Sequence, residues 1–313
     1  MLNFFDLRNE NLIEKIQKLK LEKNAVILAH FYQRPEIQKV ADFIGDSLEL
    51  AKKARETNAD IIVMCGVYFM AETAKIINPE KKVLIPYYKA GCLMADTAIK
   101  EEIIEYKKKK PDTFIVTYVN SSADVKAVSD ICCTSANAVK IVKKLYEQGI
   151  KKFLFVPDRN LGSYVKEKLG NDIEMELWDG YCYVHDQVSK EDVIFYRERF
   201  PKCVVVVHPE CRKEVRDLAD FVGSTSQIVK FVKQTSAKIV VVGTEEGIIN
   251  YLKKIAPEKT FYSLYRRFIC DSMKFITLSR LYKCLLEEKY EITLDENLIK
   301  EARKPIEKML ELS

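Results

Sequence analysis

Three cysteines recur at matching places in the chain and have the chemistry to bind a metal. They follow repeated aspartates, which are 88 and 90 residues apart, at distances of 50, 52 and 50 residues. The aspartates are Asp42, Asp130 and Asp220, and the cysteines are Cys92, Cys182 and Cys270. Three thiolates can hold a zinc ion or a [4Fe–4S] cluster. A structural zinc ion needs a fourth ligand, for which His185 is the candidate, whereas a three-cysteine cluster leaves one iron open as a Lewis acid.

Polar side chains at three strand ends and three helix starts could surround such a centre. The strand-like runs are AVILAHFY, FIVTYVN and VVVVHPE, and a hydroxyl residue that we expect to be an N-cap opens each following helix. Ligands of open α/β units bind at the carboxyl ends of strands, and helix starts bind anions. We therefore expect a small polyanion to bind here, with a glutamate and two tyrosines moving protons. The ring consists of His30, Tyr32, Tyr118, Asn120, His208, Glu210, Ser47, Ser135 and Thr225.

These residues belong to one repeated sequence. The stretch ADFIGDSLEL from Ala41 returns as SDICCTSANA from Ser129 and as ADFVGSTSQI from Ala219. In each copy a strand-like run precedes the stretch, and a helix, a second strand and helix, and a short third strand follow it. The pattern predicts an α/β protein of three homologous α/β/α units, each of about 90 residues. We expect parallel sheets, with the three units arranged around a pseudo-threefold axis.

The repeat sets the expected domain boundaries. The three units should span residues 1–88, 89–178 and 179–270, since 313 residues exceed what one core usually supports. Residues 271–313 contain two amphipathic helices, LSRLYKCLLEE and ENLIKEARKPIEKMLEL. We expect these C-terminal helices to pack back on the first unit.

The composition argues against nucleic-acid and membrane partners. The 51 Lys and Arg residues against 46 Asp and Glu residues give a net charge of +5, without a basic stripe. The longest apolar runs are far shorter than the ~20 residues of a membrane span, and the first residues do not resemble a signal peptide. Nine cysteines in a reducing compartment favour metal-binding or catalytic thiols over disulfides. We therefore expect a cytoplasmic protein.

Several other cysteines stand in suggestive places but do not obey the repeat. Cys65 and the pair Cys132 and Cys133 have small or apolar counterparts in the other copies, which predicts that they are packing residues. Cys211 lies beside His208 and Glu210, yet it has no cysteine counterpart. From the repeat alone, the chain is predicted to be a cluster-dependent lyase or dehydratase that acts on a small acidic metabolite.

Motifs along nearly the whole chain resemble the quinolinate synthase family. They are AHFYQRPEIQ, ADFIGDS, MCGVYFMAETAKIINPEKKVLIP, AGCLMAD, VTYVNSSADVKAVSDICCTSANA, FVPDRNLG, GYCYVH, HPECR, DFVGSTS and MKFITL. The resemblance implies three α/β domains around a pseudo-threefold axis and a [4Fe–4S] cluster where they meet. It implies that iminoaspartate (iminosuccinate) condenses with dihydroxyacetone phosphate to quinolinate, phosphate and two waters in de novo NAD (pyridine nucleotide) biosynthesis. An upstream enzyme that oxidises L-aspartate would then be a partner.

The resemblance also implies roles for individual residues. The cluster ligands would be Cys92, Cys182 and Cys270. The catalytic residues would be Glu210, Tyr32, Tyr118, His208 and His30. The substrate contacts would be His30, Ser47, Tyr118, Val119, Asn120, Ser135, His208, Pro209, Glu210 and Thr225. The chain lacks the additional C-terminal cysteines of some members, so no regulatory disulfide is expected there.

A non-catalytic iron–sulfur sensor or scaffold could use the same three cysteines. Such a protein has no need of three anion-binding helix starts that converge with a glutamate. The ring of polar residues therefore favours the enzyme.

Overall fold

The chain forms three parallel sheets of identical topology. The computed structural model describes residues 4–170 and 173–313. Each sheet has four strands in the spatial order second, first, third, fourth, and all of their pairings are parallel. This confirms the prediction of an α/β fold with three similar units and parallel sheets, which we call the first, second and third repeats.

The first repeat contains the sheet β2-β1-β3-β4. We call the first strand of each repeat, which is β1, β5 or β9, its inner strand. The inner strand β1 is AVILAH, a continuous apolar run of the kind that is buried on both faces of a parallel sheet. The elements are α1 (Phe4–Glu22), β1 (Ala25–His30), α2 (Pro35–Val40), β2 (Phe43–Gly45), α3 (Ser47–Glu56), β3 (Ile61–Cys65), α4 (Tyr68–Ile77) and β4 (Lys82–Leu84).

The second repeat contains the sheet β6-β5-β7-β8. A short 3-10 turn, Ala95–Thr97, precedes it. The elements are α5 (Lys100–Lys109), β5 (Phe114–Tyr118), α6 (Ala123–Ala127), β6 (Ile131–Cys133), α7 (Ala138–Glu147), β7 (Lys152–Val156), α8 (Arg159–Leu169) and β8 (Glu174–Leu177).

The third repeat contains the sheet β10-β9-β11-β12, and the tail follows it. The repeat consists of α9 (Tyr183–Asp186), α10 (Lys190–Arg199), β9 (Val204–Val207), α11 (Lys213–Arg216), β10 (Phe221–Val222), α12 (Thr225–Gln234), β11 (Ile239–Gly243), α13 (Gly247–Ile255) and β12 (Thr260–Ser263). The tail consists of α14 (Asp271–Lys274), α15 (Leu278–Glu287) and α16 (Glu296–Leu312). No helix of the described residues is long and apolar enough to cross a membrane.

The described chain divides into two compact units. The first unit comprises Met1–Cys92 and Cys270–Lys300, and the second comprises Leu93–Ile269 and Glu301–Ser313. In the first unit, Leu281 and Leu285 of α15 pack into one core with Ile27 of β1. In the second unit, the Asn137 amide donates a hydrogen bond of 2.7 Å to the Ser313 hydroxyl. The residue boundaries expected for the three repeats, and the packing expected of the whole tail, stay predictions.

The repeated aspartates bind the backbone of the inner strands. Each side chain accepts a hydrogen bond from a backbone N–H near the start of the strand, and each lies beside a basic residue of the preceding helix. The N–H donors are Ile27 at 2.8 Å, Ile115 at 2.7 Å and Val205 at 2.7 Å, for Asp42, Asp130 and Asp220 respectively. The basic partners are Lys20 at 2.7 Å, Lys107 at 2.9 Å and Arg197 at 3.0 Å. The aspartate that marks the repeat in the sequence therefore has a structural role.

Removing one of these carboxylates should destabilise its repeat. Asp130→Ala leaves the Ile115 N–H without its side-chain acceptor, and we expect the free energy of unfolding to fall by about 1–3 kcal/mol. Asp130→Asn keeps an acceptor oxygen and should cost less. Urea unfolding of both variants measures the difference. Glu105→Ala on the neighbouring helix removes only an exposed ion pair with Lys109 and is the control. Equal stability of Asp130→Ala and the wild type would contradict this role.

Candidate active site

Two positions at the end of each inner strand carry the predicted site residues. The first position is the last residue of β1 and β5 and the residue after β9, and the second follows two residues later. The first position holds His30, Tyr118 and His208, and the second holds Tyr32, Asn120 and Glu210. The three residues of the first position are 6%, 4% and 4% exposed, so their polar atoms need partners within the protein or from a ligand.

The two strand-end histidines have the same local hydrogen bond. The Nδ1 atom of His30 accepts from the backbone N–H of Tyr32 at 3.2 Å, and that of His208 accepts from the N–H of Glu210 at 3.3 Å. A neutral ring that accepts at Nδ1 carries its proton on Nε2. Nε2 of His208 lies 3.1 Å from the Ser135 hydroxyl. Both histidines can therefore donate a hydrogen bond from Nε2.

Burial keeps His208 neutral. Burial, together with the neighbouring His185 and against the attraction of Glu210, lowers the pKa of His208 from its ordinary 6.5 to about 4. The rings of the two histidines are 4.9 Å apart between centroids. At neutral pH, His208 is therefore a neutral donor rather than a cation.

Glu210 is a buried carboxylate with several polar partners. Its Oε1 accepts from the Tyr118 hydroxyl at 2.7 Å, and its Oε2 lies 2.8 Å from Nδ1 of His185. Burial alone would raise the pKa of Glu210, but His208 and His185, with hydrogen bonds from His185 and Tyr118, lower it to about 2. The carboxyl group is therefore ionised. The other nitrogen of His185 lies 2.9 Å from the hydroxyl of Thr244, which extends the chain of polar contacts.

Three groups at this place could hold a metal ion. The Sγ atom of Cys182 lies 3.2 Å from Nδ1 of His185, and the ligand atoms of Cys182, His185 and Glu210 all lie within 4.8 Å of one another. A thiolate, an imidazole and a carboxylate suit zinc or iron. Sequence reasoning considered His185 as a possible fourth ligand but did not find its contact with Glu210.

The three repeat-positioned cysteines have the same backbone surroundings. In each repeat, the carbonyl two residues before the cysteine accepts a hydrogen bond from a backbone N–H at the start of the helix after the third strand. The donor and acceptor pairs are Tyr68 and Ala90 at 2.7 Å, Arg159 and Gly180 at 2.8 Å, and Glu246 and Phe268 at 2.8 Å. Cys92, Cys182 and Cys270 are therefore structurally equivalent within their own repeats.

Burial separates these three cysteines from the other six. Cys92, Cys182 and Cys270 are partly exposed, whereas all the others are buried. Burial raises the pKa of the Cys132 thiol to about 12, and it raises the pKa of Cys65 and Cys211 as well. A buried thiol with a raised pKa resists forming the thiolate that a metal needs. The repeat-positioned cysteines are thus the better ligands for a metal centre.

Asp158 supports the Cys182 loop, and the sequence analysis missed it. Its side chain is fully buried at the N-cap of α8. Oδ1 accepts from the Leu161 N–H at 2.6 Å, and Oδ2 accepts from the Cys182 N–H at 3.1 Å. Burial and the charge of Glu210 raise the pKa of Asp158. Its place directly before RNLGSYVKEKL is an N-cap signal that could have revealed the residue.

The prediction that Ser47 and Thr225 are N-caps is wrong. They are the first residues of α3 and α12, and the caps are Asp46 and Ser224, one residue earlier. Each cap forms a capping box with the Glu or Gln three residues later, and this reciprocal pair satisfies two backbone N–H groups. The predicted hydroxyls therefore lie in the first turn, beside backbone N–H groups that the caps already bind.

Ser135 is not an N-cap either. It lies in the turn before α7, and Asn137 is the residue at the cap position. The Asn137 side chain accepts a hydrogen bond from the Thr134 N–H at 2.6 Å, so it holds this turn together. The Ser135 hydroxyl instead contacts His208.

Four other predicted contact residues belong to the second compact unit. In the second compact unit, Asn120 Oδ1 is buried and has no hydrogen-bond partner among the described residues, so it can accept from a ligand. The N–H of Val119 donates to the Cys133 carbonyl at 2.9 Å. The Pro209 carbonyl faces an arginine, Arg216, at 3.4 Å. Thr225 is buried at 2% exposure, but no hydrogen bond joins it to Glu210.

The first compact unit contains the remaining ring residues. His30 and Tyr32 lie edge to face, with 4.4 Å between their ring centroids. Ser47 opens α3. Their relation to the group around Glu210 stays a prediction.

The low pKa of His208 predicts a loss of stability in acid. A base whose pKa is lower in the folded state binds fewer protons there, so unfolding becomes easier as the pH falls from 6.5 towards about 4. His208→Asn keeps a polar side chain that does not titrate. Over this range the free energy of unfolding of the variant should fall less than that of the wild type, and the difference should reach up to about 3 kcal/mol. Urea unfolding at several pH values measures both slopes, and identical slopes would contradict a neutral buried His208.

Known proteins resemble this chain over nearly its whole length. A family model described as Quinolinate synthetase A protein matches residues 14–311. A quinolinate synthase of Caldicellulosiruptor saccharolyticus is 49% identical over 304 residues, which are 97% of this chain and 99% of the relative. A quinolinate synthase of Aquifex aeolicus is 49% identical over 309 residues, with 97% and 95% covered, and one of Clostridium perfringens is 47% identical over 299 residues, with 96% and 98% covered. The chain belongs to the quinolinate synthase family.

Proposed function

We propose that this protein condenses iminoaspartate with dihydroxyacetone phosphate to form quinolinate, phosphate and two waters. The observation that carries the proposal is the ionised, buried Glu210 between the Tyr118 hydroxyl and the His185 ring at a strand end. Loss of two waters and closure of an aromatic ring require several proton transfers, and these groups can exchange protons. The product would place this transferase reaction in NAD biosynthesis. We also propose that the protein is cytoplasmic and that an upstream enzyme which oxidises L-aspartate supplies iminoaspartate.

We propose that Cys92, Cys182 and Cys270 hold a [4Fe–4S] cluster. Their equivalent backbone surroundings and their partial exposure support the assignment, and the burial of the other six thiols argues against the alternatives. When bound, a cluster with three cysteine ligands supplies an open iron that polarises a substrate oxygen as a Lewis acid.

The strand ends and helix starts would bind the substrate carboxylates and phosphate. His30 and His208 can each donate from Nε2 because their Nδ1 atoms are occupied by backbone N–H groups. The buried oxygen of Asn120 would accept a hydrogen bond from an N–H or O–H group of the substrate. The hydroxyls of Ser47 and Thr225, the first residues of α3 and α12, would donate hydrogen bonds to the anionic oxygens.

Glu210 would become a stronger base when substrate binds. The neighbouring His208 and His185, with hydrogen bonds from His185 and Tyr118, stabilise its charge and keep its pKa at about 2. A substrate oxygen that takes over the Tyr118 hydroxyl would remove one of these bonds and raise the proton affinity of the carboxylate. Tyr32 is the next candidate for the proton acceptor.

Two sets of residues could bind metal, and substitutions separate them. Serine at Cys92, Cys182 or Cys270 should abolish the brown cluster absorbance of anaerobically reconstituted protein, whereas Cys211→Ala and Cys132→Ala should keep it. His185→Gln should also keep it if the three cysteines hold the cluster. Iron analysis and visible absorbance measure the result. If His185→Gln loses the metal and Cys92→Ser keeps it, the centre is instead the group of Cys182, His185 and Glu210.

Glu210→Gln tests the proton acceptor. Glutamine preserves the size and the hydrogen-bonding capacity of the side chain but not its basicity. We expect the variant to keep iron and to lose about 10²- to 10⁴-fold in quinolinate formation. Turnover with iminoaspartate and dihydroxyacetone phosphate under anaerobic conditions measures the rate. A near-normal rate would move the role to Tyr32, and a wild-type protein that forms no quinolinate would favour the iron–sulfur sensor.

A further inference from the structure

In each repeat, the loop after the inner strand leads to a short helix, and one equivalent position on that helix holds a hydrogen-bond donor. The type of donor differs between the three repeats. These residues are 88 and 90 residues apart, as the repeated aspartates are, and lie on α2, α6 and α11. They are Gln38, Lys126 and Arg216. The amide is neutral while the ammonium and the guanidinium are cations, and the three groups differ in size, but all of them donate hydrogen bonds.

All three side chains donate to the same backbone carbonyl of their own loop. Gln38 Nε2 lies 3.0 Å from the Gln33 carbonyl, Lys126 Nζ lies 2.7 Å from the Ser121 carbonyl, and Arg216 Nη1 lies 2.7 Å from the Cys211 carbonyl. Gln38 and Arg216 also reach the carbonyls two residues earlier, those of Phe31 at 2.9 Å and Pro209 at 3.4 Å. These carbonyls flank the second site position, which holds Tyr32, Asn120 and Glu210.

The burial of Lys126 is costly for a side chain that serves packing alone. Its residue is 0% exposed, and an ammonium loses its hydration when it is buried. An apolar side chain of similar volume is often equally stable or more stable at such a place. The hydrogen bond to the loop therefore explains the lysine better than packing does.

Arg216 also connects its loop to the cysteine of the same compact unit. It donates to the Asn160 carbonyl at 3.0 Å and forms an ion pair of 2.8 Å with Glu167, both on α8. The N-cap of α8, Asp158, binds the Cys182 N–H. Arg216 thus connects the Glu210 loop to α8, whose N-cap residue binds the backbone of Cys182.

We propose that Gln38, Lys126 and Arg216 are positioning residues that fix the backbone on which Tyr32, Asn120 and Glu210 stand. The donor matters and the residue type does not. The activity test of this proposal rests on the proposed quinolinate synthesis. A second test, by amide hydrogen exchange, does not depend on that function.

Lys126 is the best residue for the test because its own repeat relatives suggest the rescue. Lys126→Met removes the donor but keeps the length and the burial, whereas Lys126→Gln supplies the donor that Gln38 uses. In Lys126→Met we expect Asn120 to be misplaced, so that KM for the substrates of the proposed reaction rises about tenfold. The change in kcat should be smaller, and the midpoint of thermal unfolding should be unchanged or higher. Lys126→Gln should restore KM. Lys109→Met on the exposed face of α5 is the matched control and should behave as the wild type.

Amide hydrogen exchange gives a readout that is independent of activity. Exchange in residues 119–122 should be faster in Lys126→Met than in the wild type and should return to the wild-type rate in Lys126→Gln. A wild-type protein without quinolinate synthesis would refute the proposed function, yet the exchange comparison would still decide this inference.

The inference fails if Lys126→Met keeps both the wild-type KM and the wild-type exchange, since the lysine would then only fill space. It also fails if Lys126→Gln does not rescue the loss, because the donor would not be the shared property. If Lys126→Met does not fold, Gln38→Met and its rescue Gln38→Lys decide in the same way, with kcat as the readout because Tyr32 stands on that loop.

Discussion

The hydrogen bonds between three aspartates and three inner strands fix the place of every strand-end residue of the site. In each repeat, the aspartate side chain accepts from a backbone N–H of the inner strand, and its own N–H donates to the carbonyl of the same strand residue. Three residues farther along the chain, at the end of this strand or directly after it, lies His30, Tyr118 or His208. A slip of one residue would turn these side chains to the other face of the sheet. The pairing therefore fixes the register that places the site residues.

Charge buried at the strand ends determines the chemistry that this register permits. Glu210 is 3% exposed. The neighbouring His208 and His185 stabilise its charge, and Tyr118 and His185 also supply hydrogen bonds to its two oxygens. Such a carboxylate is a weak base until a partner leaves it. In the proposed reaction, a substrate that competes for Tyr118 would therefore raise the proton affinity of Glu210.

The sequence predicted what repeats and missed what depends on packing between elements. The three cysteines, the strand-end residues and the parallel α/β architecture follow from periodic spacing, because equivalent residues of homologous units take equivalent places. Two of the three caps were predicted one residue late, since Asp46 and Ser224 precede the hydroxyls and form boxes with a residue three positions later. Asp158 and His185 were missed as partners of Cys182 and Glu210. Their contacts join different elements, and nothing in the spacing indicates them.

Gln38, Lys126 and Arg216 differ in residue type but share one function, which is to donate a hydrogen bond to a loop carbonyl. A comparison of residue types between the repeats does not reveal this function. The three repeats have an amide, an ammonium and a guanidinium at this position, which is typical of a position where the residue type is not constrained. The constraint is instead a donor that can reach a carbonyl next to the second site position. Each repeat can therefore vary the donor to suit its own surroundings, as Arg216 does by also binding α8. A triplicated fold can in this way keep one loop geometry while its three loops carry a tyrosine, an asparagine and a glutamate for different tasks.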